Sequence, residues 1–319
     1  MSCWLSCSIF IIVALILFGI IAAIVFAYSL NRVKENFRRN FALSTAEYCK
    51  NLQVQTYTSP IQTPQVKGIY EYGLARGLLE LSLAVSQSNC VNKIPIDSPP
   101  GFNGQYRIIA AHPYDGKKRM VATVFTDGAG SSDVTKMVIV FTGTFFLNQW
   151  ATDLNFRLHN AVGIHNYRPG VQVHTGFYNL YRSARDQLWA LYNSFKPAPQ
   201  ELYITGHSLG GALATIAAYD FAGREPIYYS FASPRVGNPV FANTFNTLVP
   251  TALRIYNIDD TITQIPLPIT LGNVYQHVDS GIAFDVNFGN LRANHIDAYL
   301  QYMPQCIPNI APCEYVNDN

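Results

Sequence analysis

Residues 203–214 read "YITGHSLGGALA". Within them Gly206-His207-Ser208-Leu209-Gly210 forms a G-x-S-x-G pattern. Three fixed residues of ordinary abundance recur by chance in about one chain in ten of this length, so the flanks decide its meaning. Before it, Glu201-Leu202-Tyr203-Ile204-Thr205 is apolar and partly β-branched and reads as a buried strand. After it, Gly210 to Tyr219 reads as a helix in which Gly210, Ala214 and Ala218 recur at every fourth position. One helix face is therefore nearly bare and can lie very close to a sheet. Strand, sharp turn and small-faced helix form the setting in which a serine is displayed as a nucleophile. Glycines on either side remove Cβ atoms that would clash in such a turn. The helix N-terminus directs its N–H groups and positive dipole end at the same point.

The chain has 319 residues, of which 49% are hydrophobic and 13% charged, with a formal net charge of +2. The length suits one large domain with an extension. The balance of charge has no basic excess of the kind that binds nucleic acid. The charged fraction is well below the usual quarter. Part of the deficit lies in residues 8–29, "SIFIIVALILFGIIAAIVFAYS", an uncharged run long enough to cross a bilayer as a helix. It reads as a single-pass anchor, because it exceeds a normal signal core and no Lys or Arg precedes it. The alternative is a signal peptide cleaved after Val25-Phe26-Ala27, giving a secreted protein. Arg32, Lys34, Arg38 and Arg39 follow the run and favour a cytosolic side for what comes next. Cys49, Cys90, Cys306 and Cys313, an even number beyond the run, favour an oxidising compartment, and we read the catalytic part as non-cytosolic. Cys3 and Cys7 flank the run as candidate acylation sites.

Three regions follow: 1–30 as anchor or signal, 31–66 as a juxtamembrane segment ending in the loop-like "TYTSPIQTPQ", and 67–319 as the globular domain. In the last, helix-like and strand-like segments alternate. Helices are expected at 70–87 and 176–195, and strands at 106–112, 120–127, 136–143, 227–233 and 251–258. That order predicts an α/β fold with a mainly parallel central sheet.

A serine nucleophile needs a base for its proton and an acid to orient the base. On α/β-hydrolase-like scaffolds the chain order is serine, acid, histidine. Only His277 and His295 follow Ser208. Asp259 and Asp260, just after an expected strand, are the leading acids, ahead of Asp279, Asp285 and Asp297. Asp220 sits too close behind the serine, on the helix. Spacing alone leaves both pairs open. His207 and His174 read as structural, and His112, His159 and His165 carry no signal. No H-E-x-x-H or C-x-x-C occurs, so neither a catalytic metal nor another cofactor is expected. An oxyanion hole needs two donors. The N–H of Leu209 is one, and the loop after the 136–143 strand is placed to supply the other.

Several separate stretches between about residues 67 and 300 resemble the class 3 lipases, the filamentous-fungus type of triacylglycerol lipase. "YITGHSLGGALA" is similar to the family's nucleophile turn, and "VHTGFYNLY" to the start of the preceding helix. "VIVFTGTFFLNQWATDLNF" resembles its strand, oxyanion loop and lid, with Thr144 and Trp150 at the family's spacing of six. "YYSFASPRVGNPVFA" resembles the block after the next strand. "RIYNIDDTITQIP" resembles the acid block, in which an Asp stands six residues before a Pro; this selects Asp260 over Asp259. "NHIDAYL" resembles a C-terminal block in which an aromatic closely follows the histidine, which selects His295, whereas "YQHVDSG" around His277 resembles a block whose histidine is not usually the base. The chain departs from the family at Thr263, where Pro is common, and at Thr142, where Arg or Lys is common.

The resemblance implies an α/β-hydrolase fold with a short lid helix and serine hydrolysis of carboxylic esters. Ser208 is then the nucleophile, His295 the base and Asp260 its orienting acid, with the oxyanion held by Leu209 and Thr144. It also implies a disulfide from Cys90 to Cys306 or Cys313. Phe145, Phe146, Leu147 and Trp150 form the expected lid, with a core role as the alternative. Burying each side chain is worth about 1.5–3 kcal/mol, enough for a lipid surface to shift a lid equilibrium. The expected substrate is therefore an acylglycerol at an interface. The alternatives are a phospholipase or diacylglycerol lipase and, from another class, a non-catalytic membrane-tethered lipid-binding scaffold. No obligate protein partner is implied.

Overall fold

The computed structural model describes residue 61 and residues 69–87, 96–113, 116–143, 156–270, 272–278 and 281–305. The apolar run 8–29, all six cysteines, Asp279, Thr144 and the four expected lid residues lie outside them.

In chain order the elements are α1 (Tyr72–Gln87), β1 (Gly104–Ala111), β2 (Lys118–Thr126), β3 (Lys136–Phe141), β4 (Leu158–Asn160), β5 (Gln172–His174), α2 (Thr175–Ser194), β6 (Glu201–His207), α3 (Leu209–Asp220), β7 (Ile227–Phe231), α4 (Pro239–Leu248), β8 (Ala252–Asn257), β9 (Ile269–Thr270), β10 (Asn273–Val274), β11 (Ile282–Phe284) and α5 (Ala298–Tyr302). The main sheet runs β1-β2-β3-β6-β7-β8-β11. The pairings β1–β2 and β2–β3 are antiparallel, and the four pairings from β3 to β11 are parallel. β4–β5 and β9–β10 form separate two-stranded antiparallel ribbons. The expected mainly parallel α/β sheet is thus present, with an antiparallel hairpin added at one edge.

Period-two alternation sorts the strand residues between the two faces. Val138 and Val140 of β3, Tyr203 of β6, and Tyr229 and Phe231 of β7 join Leu74, Leu78, Leu81 and Val85 of α1 and Tyr299 of α5 in one core. The opposite face meets α2 and α3: Phe141 contacts Tyr181, and the Tyr228 hydroxyl lies 2.7 Å from that of Thr215. All twelve residues of α3 are buried. Glycine in a helix costs about 1 kcal/mol against alanine, but at Gly210 the space demands it. A Cβ there would stand 2.4 Å from the Phe141 carbonyl oxygen.

Two strands end before their apolar sequence does. β3 stops at Phe141: Thr142 still donates to Val121 O of β2, but Gly143 leaves the sheet and donates to the Ser86 hydroxyl on α1. β7 stops at Phe231, because Ala232 takes a positive φ of 54°. The sequence reading also passed over α4, although its start is well signalled: Asn238 caps it by accepting from Phe241 N at 2.9 Å, with Pro239 in the first turn.

Candidate active site

β6 carries the chain to its C-terminal end, and α3 begins at Leu209. Ser208 joins them at φ 60°, ψ −126°, a conformation that an L-residue adopts at a cost of about 1–3 kcal/mol. Its amide donates to Phe231 O at the end of β7, which ties the strained residue to the sheet. A Cβ on Gly206 would lie 2.3 Å from the Gly210 backbone, so the strand and the helix cross with no room for a side chain. Leu209 is the first residue of the helix, where N–H groups have no intrahelical acceptor. A Cβ on Gly210 would also lie 3.0 Å from Gly143 N, so the chain leaving β3 touches the same helix turn.

Asp260 follows β8 and caps the short 3₁₀ turn Thr261–Gln264, its Oδ1 accepting from Ile262 N at 3.0 Å. Its other oxygen, Oδ2, lies 2.8 Å from His295 Nδ1 and accepts from the Tyr299 hydroxyl at 2.9 Å. The carboxylate is fully buried and His295 is 2% exposed. His295 is the middle residue of a π-turn, Ala293–Asp297, a form that recurs at functional sites. The rings of His207 and His295 are 4.7 Å apart, and Ser208 is the next residue after His207. Ser208 Oγ and His295 Nε2 are buried, and among the described residues neither has a hydrogen-bond partner. Nδ1 of His295 faces a carboxylate, which makes it the protonated nitrogen and leaves Nε2 as an acceptor.

The other residues left open by spacing lie elsewhere. Asp259 is half-buried, and its carbonyl accepts from Asn294. Asp285 is exposed, and Asp297 faces Arg292 at 3.4 Å. His277 donates to Thr263 O at 2.8 Å, and burial, then Arg254 and Arg235, lowers its pKa to about 3. His174 caps α2, with Nδ1 accepting from Gly176 N and Phe177 N. Burial lowers its pKa to about 4. Among the described residues no cluster of three or more His, Cys, Asp or Glu could hold a metal ion.

Tyr299 is the site residue that the sequence reading missed. Its hydroxyl accepts from Asn257 N at 2.9 Å while donating to Asp260. Burial, then the Asp260 charge, pushes its ionisation well above the ordinary tyrosine value, so it remains a donor. The signal was present as the aromatic of "NHIDAYL", but a pattern carries no partner.

Residues 138–269 match the family model described as Lipase (class 3). The phospholipase A(1) DAD1, chloroplastic, of Arabidopsis thaliana is 35% identical over 149 residues, which cover 41% of this chain and 33% of that protein. The secreted mono- and diacylglycerol lipase 1 of Fusarium solani is 33% identical over 182 residues, 56% of this chain and 51% of that protein. The chain thus spans a third to about half the length of these curated relatives. The crystal structure of a mono- and diacylglycerol lipase from Aspergillus oryzae matches with a TM-score of 0.50 and 21% identity over 68% of this chain and 79% of that one, so the two share the α/β fold. The match to the class 3 lipase model thus runs from within β3 to the start of β9, the part of the chain that carries Ser208 and Asp260.

Proposed function

We propose that the protein is a serine hydrolase of carboxylic esters, acting on acylglycerols through Ser208, His295 and Asp260. The observation that supports this most is the buried 2.8 Å contact from His295 Nδ1 to Asp260 Oδ2, beside a serine held at φ 60° at a helix N-terminus. His295 Nε2 takes the Ser208 proton as the oxygen attacks the ester carbonyl. Asp260 keeps His295 in the required tautomer and stabilises the imidazolium that forms. The imidazolium then protonates the departing alcohol. Water, deprotonated by the same nitrogen, releases the fatty acid from the acyl-enzyme. The Leu209 N–H stabilises the oxyanion, together with Thr144 as second donor. Gly143 supports that choice: its own N–H is engaged by Ser86 at 2.7 Å, which passes the role to the next residue. Phe145, Phe146, Leu147 and Trp150 act as the lid that exchanges burial in protein for burial in lipid.

The catalytic domain is residues 67–319, preceded by the 31–66 segment and the 1–30 anchor or leader. The Fusarium relative is named as secreted, which supports export of the domain. That relative acts on mono- and diacylglycerols and the Arabidopsis one is a phospholipase A(1), so bilayer glycerophospholipid is the second reading of the substrate.

The test uses the full chain beside Ser208→Ala, assayed on a long-chain acylglycerol emulsion, on phospholipid vesicles and on a short soluble ester. Loss of a catalytic serine lowers kcat by about 10⁶-fold, so Ser208→Ala is expected to be inactive on all three. The emulsion-to-vesicle ratio assigns the lipid class. A folded Ser208→Ala protein that keeps its activity, or a wild type inert to all three and to a fluorophosphonate probe, would overturn the proposal in favour of a lipid-binding scaffold.

A further inference from the structure

We propose that His207 is a positioning residue: its imidazole N–H holds the backbone of His295, so the residue preceding the nucleophile sets where the base stands. The inference rests on the roles given above to Ser208, Asp260 and His295. His207 Nε2 lies 2.8 Å from the His295 carbonyl oxygen. A carbonyl only accepts, so Nε2 carries the proton. Both residues are buried, at 4% and 2% exposure, and Tyr299 meets the His207 ring edge-on at 5.8 Å. Burial, then the neighbouring His295, lowers the ionisation of His207 well below the ordinary histidine value, which keeps the ring neutral.

The geometry gives this bond a task that packing alone does not supply. Nucleophile and base lie on elements far apart in the chain; the bond itself spans 88 residues. His207 ends β6, and its peptide leads directly into Ser208. His295 rides on a π-turn that runs on without a break into α5, and a π-turn departs from the regular i→i−4 ladder. Side chains from two other elements hold its backbone. Asn257 Nδ2 donates to Asn294 O at 3.1 Å on one side, and His207 donates to His295 O on the other. Asp260 orients the His295 ring, whereas His207 fixes the backbone that carries it relative to Ser208. A misplacement of about 1 Å costs on the order of 10²-fold in rate, so the tie bears on kcat more than on substrate binding.

Two substitutions separate the hydrogen bond from the packing. His207→Phe keeps an aromatic ring and removes the donor. His207→Gln removes the ring and keeps an N–H of similar reach. Both full-length variants are compared with wild type on a short soluble ester, with kcat scaled to the folded fraction from thermal unfolding. Deuterium exchange across residues 293–299 is followed in parallel. We expect His207→Phe to lose about 10- to 100-fold in kcat with KM within about twofold, and to exchange faster across the π-turn. His207→Gln is expected to recover most of both. A His207→Phe protein as active as wild type, or one better than His207→Gln, would overturn the proposal and leave His207 as packing. Hydrolysis by the wild type that does not depend on Ser208 would instead overturn the hydrolase reading, while the exchange data would still decide whether His207 holds the turn.

Discussion

Two buried aspartates follow Ser208, and their surroundings divide them. Asp220 closes α3 and is 1% exposed; Asp260 follows β8 and is fully buried. Each accepts from a tyrosine whose ionisation burial and the carboxylate push well above its ordinary value: Tyr181 at 2.7 Å and Tyr299 at 2.9 Å. The remaining partners differ. Asp220 faces the permanent charge of Arg185 at 2.7 Å and also accepts from Trp189 Nε1 at 2.8 Å and from the His165 amide. Its charge is matched within the fold. The side-chain partners of Asp260 among the described residues are Tyr299 and His295, and His295 has a second nitrogen that stays open. A carboxylate paired to guanidinium is finished as a structural unit. One paired to imidazole passes its influence to whatever meets Nε2.

The sharpest break of this comparison is a matched pair of substitutions. Asp260→Asn should keep the fold and lower kcat by about 10³- to 10⁴-fold, because an amide favours the wrong tautomer of His295. Asp220→Asn should do the reverse. Stripping Arg185 of its buried partner should cost about 3–5 kcal/mol in denaturant unfolding, with kcat per folded molecule nearly unchanged. Equal losses of activity in both would dissolve the distinction.

A finer probe is Tyr299→Phe, which removes one donor from Asp260 and strands the Asn257 amide. About tenfold in kcat/KM, or about 1.4 kcal/mol, is expected. Steady-state kinetics showing no change would mean that His295 and the Ile262 amide suffice to hold the carboxylate.

The smallest effect concerns pH, at a histidine outside the site. His174 in the folded protein protonates only near pH 4, whereas the unfolded chain does so near its ordinary 6.5. Between these values the unfolded state binds more protons, so this residue makes stability fall as pH drops from about 6.5 towards 4. His174→Asn retains a side-chain acceptor at the start of α2 and removes the titration. Its melting temperature should decline less between pH 7 and pH 5 than that of the wild type. Parallel declines would place the acid sensitivity elsewhere.

How far each part could be read in advance follows from the range of the interactions involved. The strand, turn and helix around Ser208 are contiguous in sequence. Their demands, small residues where backbones cross and β-branched apolar residues in a buried strand, are written residue by residue in "YITGHSLGGALA". The alternation that builds the sheet is local in the same sense, and the expected strands were found with ends shifted by a few residues. The short ribbons were not foreseen, because strands of two or three residues carry too little pattern. Asp260 could be separated from Asp259, and His295 from His277, only through family resemblance. Neither the charge nor the hydropathy of these neighbours differs in a way that spacing detects.

By itself, then, the amino-acid sequence determined the α/β order, the strained serine between β6 and α3, and a short set of candidate acids and bases, because each depends on residues within a few positions of one another. Only the tertiary structure decided that Asp260 meets His295 across 35 residues, that Tyr299 supports the same oxygen, and that His207 grips the His295 backbone. Those contacts arise where the ends of β6, β7 and β8 converge beneath α5 and its π-turn. That convergence is a property of sheet order and helix packing, which no local pattern encodes.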